Sequence, residues 1–72
     1  MSVVLYSRPG CHLCDQAREA LEGAGIAFEE VDITADPALA AEYGTVIPVV
    51  EQNGREVFEA GMDAKELPAL LA

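Results

Sequence analysis

Seventy-two residues leave room for one small domain, and 13 acidic against 4 basic residues give a net charge of −9, which would repel a phosphate backbone and argues against nucleic-acid binding. Hydrophobic residues make up 51% of the chain, but many are alanine, so the large burying side chains are Val, Leu, Ile and Phe and only moderate stability is expected. The acids are spread along the chain, as on solvated faces or on a surface that meets a basic protein partner.

Met1-Ser2 runs directly into Val3-Val4-Leu5-Tyr6, with no basic segment and longer apolar run ahead of it. Neither a signal peptide nor a membrane span is expected, and a reducing, cytoplasmic setting follows. Val3 to Ser7 is rich in β-branched and aromatic residues and reads as a central strand buried on both faces. It ends at Arg8-Pro9-Gly10. A helix follows, opened by Cys11-His12-Leu13-Cys14, with Leu13, Ala17, Ala20 or Leu21, and Ala24 at helical spacing. Cys14 shares the apolar side with Ala17 and Leu21, while Asp15, Arg18, Glu19 and Glu22 fill the other. Gly23-Ala24-Gly25 supplies the stop.

Ile26 to Ile33 predicts a second strand, with Phe28, Val31 and Ile33 as its apolar members, parallel to the first in a right-handed βαβ unit. Asp36-Pro37 starts a short helix, Asp as cap and Pro in the first turn, that runs to Tyr43 and closes at Gly44. Thr45-Val46-Ile47-Pro48 precedes a third strand, Val49 to Gln52. Asn53-Gly54 then predicts a hairpin into a fourth, antiparallel strand, Arg55 to Glu59. After Ala60-Gly61 comes a terminal helix with Leu67, Leu70 and Leu71 apolar, whose regular part begins only a few residues before Pro68.

Both cysteines of the chain fall at the start of the first helix, two residues apart. Free backbone N–H groups and the positive end of the helix dipole there favour a thiolate at Cys11, and Cys14, one turn further in, is covered. A helix terminus supplies about 0.3 to 1 kcal/mol, less than the ~1.4 kcal/mol that one pKa unit requires. Arg8, three residues ahead, is expected to add to it and depress the Cys11 thiol. The pair thus reads as a redox-active nucleophile and its resolving thiol. A zinc site needs four ligands, and His12, wedged between two cysteines, is poorly placed to complete one, so no metal ligands are assigned. An iron-sulfur centre bridging two chains, and two helix-start cysteines without a role, remain as alternatives.

The order β-α-β-α-β-β-α, with Cys-x-x-Cys after the first strand and a proline opening the third, resembles the glutaredoxin family over the whole of residues 1–72. Three motifs carry the resemblance: Tyr6-Ser7-Arg8-Pro9-Gly10-Cys11-His12-Leu13-Cys14, Thr45-Val46-Ile47-Pro48 and Ala60-Gly61-Met62-Asp63. It implies a minimal thioredoxin-like α/β fold, a four-stranded mixed sheet flanked by three helices in a single domain. It also implies a thiol-disulfide oxidoreductase, with Cys11 as nucleophile and Cys14 as resolving thiol, acting on protein disulfides or glutathione mixed disulfides. Ile47-Pro48 would be a cis peptide beside the cysteines, leaving the N–H and C=O of Ile47 free for an extended substrate. Glutathione would lie across Cys11, its γ-glutamyl end at Gly61 and Asp63 and its glycyl carboxylate near Arg8.

Each of these positions has a plainer rival. Asp63 serves equally as a helix N-cap, Gly61 as a turn residue, Arg8 as a solvated side chain and Pro48 as the start of an edge strand. His12-Leu13 stands where dithiol glutaredoxins usually have a proline and a tyrosine, and Ala60 where they have a glycine. The chain is closer to the short glutaredoxin-like redoxins of bacteria. Such a protein, expected as a monomer, needs no bound cofactor and takes electrons from glutathione, another low-molecular-weight thiol or thioredoxin reductase. A non-catalytic redox-sensing or iron-sulfur-bridging module on the same fold is the alternative.

Overall fold

In the computed structural model, which describes residues 2–71, the β-branched run at the start forms β1 (Val3–Ser7), the strand on which the sheet is built. It pairs in parallel with β2 (Glu29–Asp32), Val4 opposite Glu29, and antiparallel with β3 (Val49–Gln52), Leu5 opposite Val50. β4 (Arg55–Phe58) joins β3 antiparallel, giving a four-stranded mixed sheet in the order β2-β1-β3-β4. Three α-helices accompany it: α1 (His12–Gly23), α2 (Pro37–Tyr43) and α3 (Leu67–Leu70). No helix among the described residues is long and apolar enough to cross a membrane.

Alternation along β1 decides which face carries the core. Val3 and Leu5 point toward Ala17 and Leu21 of α1 and Leu67 of α3, and this cluster is closed by Val50 and Phe58. Each such buried leucine contributes roughly 1.5 to 3 kcal/mol. The expectation of a strand buried on both faces is corrected here, because Val4 and Tyr6 on the opposite face are only half-buried. Two of the three helices pack on the first face. On the second, Tyr43 at the end of α2 stacks on Tyr6, ring centroids 4.5 Å apart and planes 21° from parallel.

Local sequence fixes the ends of the elements. At the C-terminus of α1 the Gly25 amide donates to the Glu22 carbonyl and the Ile26 amide to the Leu21 carbonyl, both at 3.0 Å, with Gly25 at φ +72. This is a Schellman stop. It takes Ile26 out of the second strand, and the Asp32 side chain takes Ile33 out at the other end by accepting from the Thr34 amide at 2.8 Å and capping a 3₁₀ turn over Ile33–Ala35. The strand expected over Ile26 to Ile33 is therefore four residues long. Asp36 caps α2 through the Ala38 amide, with Pro37 in the first turn as predicted.

Asn53 (φ 55) and Gly54 (φ 82) form the tight turn of the β3–β4 hairpin, both in the left-handed region that a type I′ turn demands. The ladder shifts by one residue between Val50 opposite Phe58 and Glu51 opposite Glu56, a bulge at Val57. β4 stops at Phe58 rather than Glu59. The C-terminal segment is a 3₁₀ turn over Ala64–Glu66, capped by Asp63, followed by α3 with Pro68 in its first turn. The terminal helix therefore starts one residue before Pro68, whose missing N–H costs nothing at that position.

Candidate redox site

β1 delivers the chain through Arg8, Pro9 and Gly10 to Cys11, which is the N-cap of α1. Gly10 takes φ +77, a conformation favouring glycine, and turns the chain into the helix. The Cys14 amide donates to Cys11 Sγ at 3.2 Å and the Asp15 amide to the Cys11 carbonyl at 3.1 Å. One of the unsatisfied N–H groups of the first turn is thus aimed at the sulfur itself. Cys11 and Cys14 are joined as a disulfide, their Cα atoms 5.2 Å apart. Cys11 is partly exposed and Cys14 is fully buried.

Beneath the pair lies an apolar cluster in which Cys14, Ile33, Tyr43, Ile47 and Val49 are buried, with Cys11 packed against them. It joins the second motif to the first. The Ile47-Pro48 peptide is cis and Pro48 is fully buried. The Ile47 N–H, expected to be free, donates instead to the Tyr43 carbonyl at 3.2 Å, so the expectation that both backbone groups of Ile47 are open to a substrate is corrected for the N–H. The third motif is tied in by the Ala60 amide, which donates to the Val46 carbonyl at 3.1 Å.

The remaining candidate residues lie at the margins. Arg8 is exposed and lines a pocket of about 370 Å³ with Ser7, Pro9, Arg18, Glu30 and Asp32. Gly61 is exposed at φ +97 with open space where a Cβ would stand, so its backbone conformation, not crowding, selects glycine. One Asp63 carboxylate oxygen accepts from the Lys65 amide at 2.9 Å, the capping contact. Asp63 lines a different pocket, of about 420 Å³, with Gln16, Glu19, Ala20, Ala64 and Lys65. Arg8 and Asp63 therefore line separate pockets. His12 and Leu13 are exposed beside the disulfide.

Two polar groupings next to the site depend on contacts between elements distant in the sequence, apart from the i,i+3 pair of Asp15 and Arg18 within α1. Glu51, half-buried on β3, accepts from the Tyr6 hydroxyl at 3.0 Å and the Tyr43 hydroxyl at 3.2 Å. Burial pushes the Tyr43 phenol up to about 12, aided by the charges of Glu51 and Glu42, and burial with the Glu51 hydrogen bond raises Tyr6 as well. Around the Arg8 pocket, Arg18 pairs with both Asp15 and Glu30, and the Ser7 hydroxyl donates to Glu30 at 2.7 Å. The Arg18 guanidinium, with Ser7, holds the Glu30 carboxyl below its ordinary value against the opposing effect of burial. Tyr6 and Glu51 lie 45 residues apart and Arg18 and Glu30 12 apart, so only the pairing of strands reveals the first contact and the packing of α1 beside β2 the second.

Comparison with known proteins agrees with this fold. The model of a glutaredoxin-like domain (DUF836) matches residues 2–72. The SPbeta prophage-derived thioredoxin-like protein YosR of Bacillus subtilis (strain 168) is 34% identical, over 99% of this chain and 95% of its own. Among solved structures, the protein XcR50 from X. campestris superimposes with a TM-score of 0.81 at 46% identity, covering 94% of this chain and 92% of that one. The thioredoxin-like protein BC3987 does so with a TM-score of 0.75 at 31% identity, covering 97% and 100%.

Proposed function

The chain belongs to the glutaredoxin-like domain family, and from that premise we propose that it is a thiol-disulfide oxidoreductase that reduces protein disulfides or glutathione mixed disulfides. Its fold and its Cys11–Cys14 pair support a redox role. The observation that favours exchange catalysis is the asymmetry of the pair: Cys11 is a partly exposed helix N-cap whose sulfur receives the Cys14 amide at 3.2 Å, and Cys14 is fully buried.

In the first step the Cys11 thiolate attacks one sulfur of the substrate disulfide. A Cys11–substrate bond forms, the substrate S–S bond breaks, and the departing thiolate takes a proton from water. Cys14 then gives up its proton and attacks Cys11 Sγ, which releases the second substrate thiolate and leaves the internal disulfide seen here. Two electrons have passed to the substrate. Two molecules of glutathione or of another small thiol, or thioredoxin reductase, return them to the chain. Asp15, in the first turn of α1, complements the helix dipole.

In this reading a protein disulfide approaches Cys11 from the side of the exposed Leu13, and glutathione reaches it past Gly61, Asp63 or Arg8. A cytoplasmic monomer suits this cycle. The test is Cys14→Ser incubated with glutathione disulfide and read by intact mass. One glutathione retained on Cys11 is expected; a chain that takes up none would overturn glutathione exchange and leave thioredoxin reductase or another thiol as the donor to examine.

A further inference from the structure

Arg18 lies one turn beyond Cys14 on α1, and its guanidinium bridges Asp15 of the same helix to Glu30 of β2. Nε donates to Glu30 Oε1 at 2.9 Å and Nη2 to Glu30 Oε2 at 2.5 Å, a two-point hold on β2. Nη1 donates to Asp15 Oδ1 at 2.7 Å. Glu30 Oε2 also accepts from the hydroxyl of Ser7, a buried residue, and the Asp15 amide donates to the Cys11 carbonyl. Ser7 is the last residue of β1, and Asp15 directly follows Cys14. The contacts Ser7–Glu30–Arg18–Asp15 therefore run from the residue that enters the redox loop to the residue that leaves it.

The internal disulfide ties Cys11 to Cys14 covalently. Once Cys11 carries a mixed disulfide that covalent tie is gone, and the loop is held by the packing of Cys14 in its apolar cluster, by the first helical turn and by this chain of contacts. A segment that loosens has to be ordered again before Cys14 reaches Cys11 Sγ, whereas a held pair keeps a high effective concentration.

We propose, on the basis of the exchange reaction above, that Arg18 is a positioning residue for the redox pair: bridging Asp15 and Glu30, it fixes both ends of the redox loop and favours closure of the Cys11–Cys14 disulfide over a mixed disulfide at Cys11. The reacting atoms are sulfur alone. Cys14 displaces the glutathione thiolate from Cys11, and Arg18 gains and loses no proton. A planar fork suits this task better than an ammonium, because two parallel N–H bonds to one carboxylate set orientation as well as distance.

The test compares the native chain with Arg18→Gln, Arg18→Lys and, as a control for an exposed charge on the same helix, Glu22→Gln. Each is equilibrated in the same mixture of glutathione and glutathione disulfide, quenched in acid, and resolved by intact mass into dithiol, mixed-disulfide and internal-disulfide forms. For Arg18→Gln the ratio of internal to mixed disulfide is expected to fall about two- to fivefold, the size of a partly exposed two-point ion pair. Arg18→Lys should recover part of the loss, and Glu22→Gln should match the native chain. An unchanged ratio with a lowered thermal midpoint would make Arg18 a structural tie only and overturn the proposal. A rise in the ratio would overturn it too, since the lost charge and not the lost hold would then be acting. Absence of exchange in the native chain would bring down the glutathione-exchange reading and this inference together; exchange there with an unchanged variant brings down this inference alone.

Discussion

The amide of Cys14 donates to the Sγ of Cys11 across 3.2 Å, so the helix that buries one cysteine also points a donor at the sulfur of the other. The two thiols of one short motif thereby receive opposite surroundings. Cys11 gains a donor and partial solvent access, and Cys14 is shut into the apolar cluster with Ile33, Tyr43 and Val49.

The two thiols should therefore differ in reactivity. In the reduced chain, iodoacetamide is expected to modify Cys11 at least about tenfold faster than Cys14, because exposure and thiolate character both favour it. Peptide mapping of a briefly alkylated sample measures this. Equal labelling would contradict the division into attacking and resolving thiols.

The Tyr6–Tyr43–Glu51 cluster predicts an alkaline transition. Tyr43 is raised to about 12 by burial first and by nearby glutamates second. A phenol raised in the folded state stabilises the fold fully below its unfolded value near 10, and that contribution is lost as pH rises through the folded value. The chain has two tyrosines and no tryptophan, so absorbance at the phenolate band reports them cleanly. Both should titrate above the ordinary range in the native chain, and Glu51→Gln should bring both midpoints down. Midpoints at the ordinary value would remove the cluster from the account.

The acid side is governed in part by Glu30, whose carboxyl is held down chiefly by Arg18. A lowered carboxyl contributes stability above its unfolded value that is lost as pH falls through the folded one. Glu30→Gln should cost about 1 kcal/mol or less at neutral pH, the range of a partly exposed pair. The gap between variant and native chain should close on acidification. Denaturant unfolding at several pH values checks it, and a gap independent of pH would contradict the ion pair as its cause.

Leu13 stands between the cysteines with 52% of its surface exposed, next to a site that a protein disulfide would approach. Burying the exposed half of a leucine against a partner is worth about 1 kcal/mol. Leu13→Ser should slow reduction of a protein disulfide several-fold and leave a small disulfide such as that of glutathione nearly unaffected. Equal slowing on both would show that Leu13 acts on the thiol and not on docking.

What the sequence made legible was what local chemistry decides. Val3 to Ser7, the Asp36-Pro37 start of α2, the Asn53-Gly54 turn and the Cys11 N-cap all follow from residues adjacent in the chain. The second strand was overextended because Ile26 belongs to the helix stop and Ile33 to the turn capped by Asp32, and apolar alternation alone does not register either competing hydrogen bond. The bulge at Val57 and the engaged N–H of Ile47 were hidden for a similar reason, each depending on register or on the end of a neighbouring helix. Glu51 under two tyrosines and Arg18 across to Glu30 are products of strand and helix packing. Read in the sequence alone, both look like ordinary solvated charges.

In the proposed reaction Cys11 and Cys14 cycle between dithiol and internal disulfide in exchange with an external thiol. The most direct measurement is intact mass of the native chain across a series of glutathione redox buffers. A smooth, reversible passage between two forms differing by two hydrogens is predicted, with a midpoint in the range of about −200 to −270 mV spanned by glutaredoxins and thioredoxin. A chain that stays in one form throughout, or whose conversion does not reverse, would contradict it.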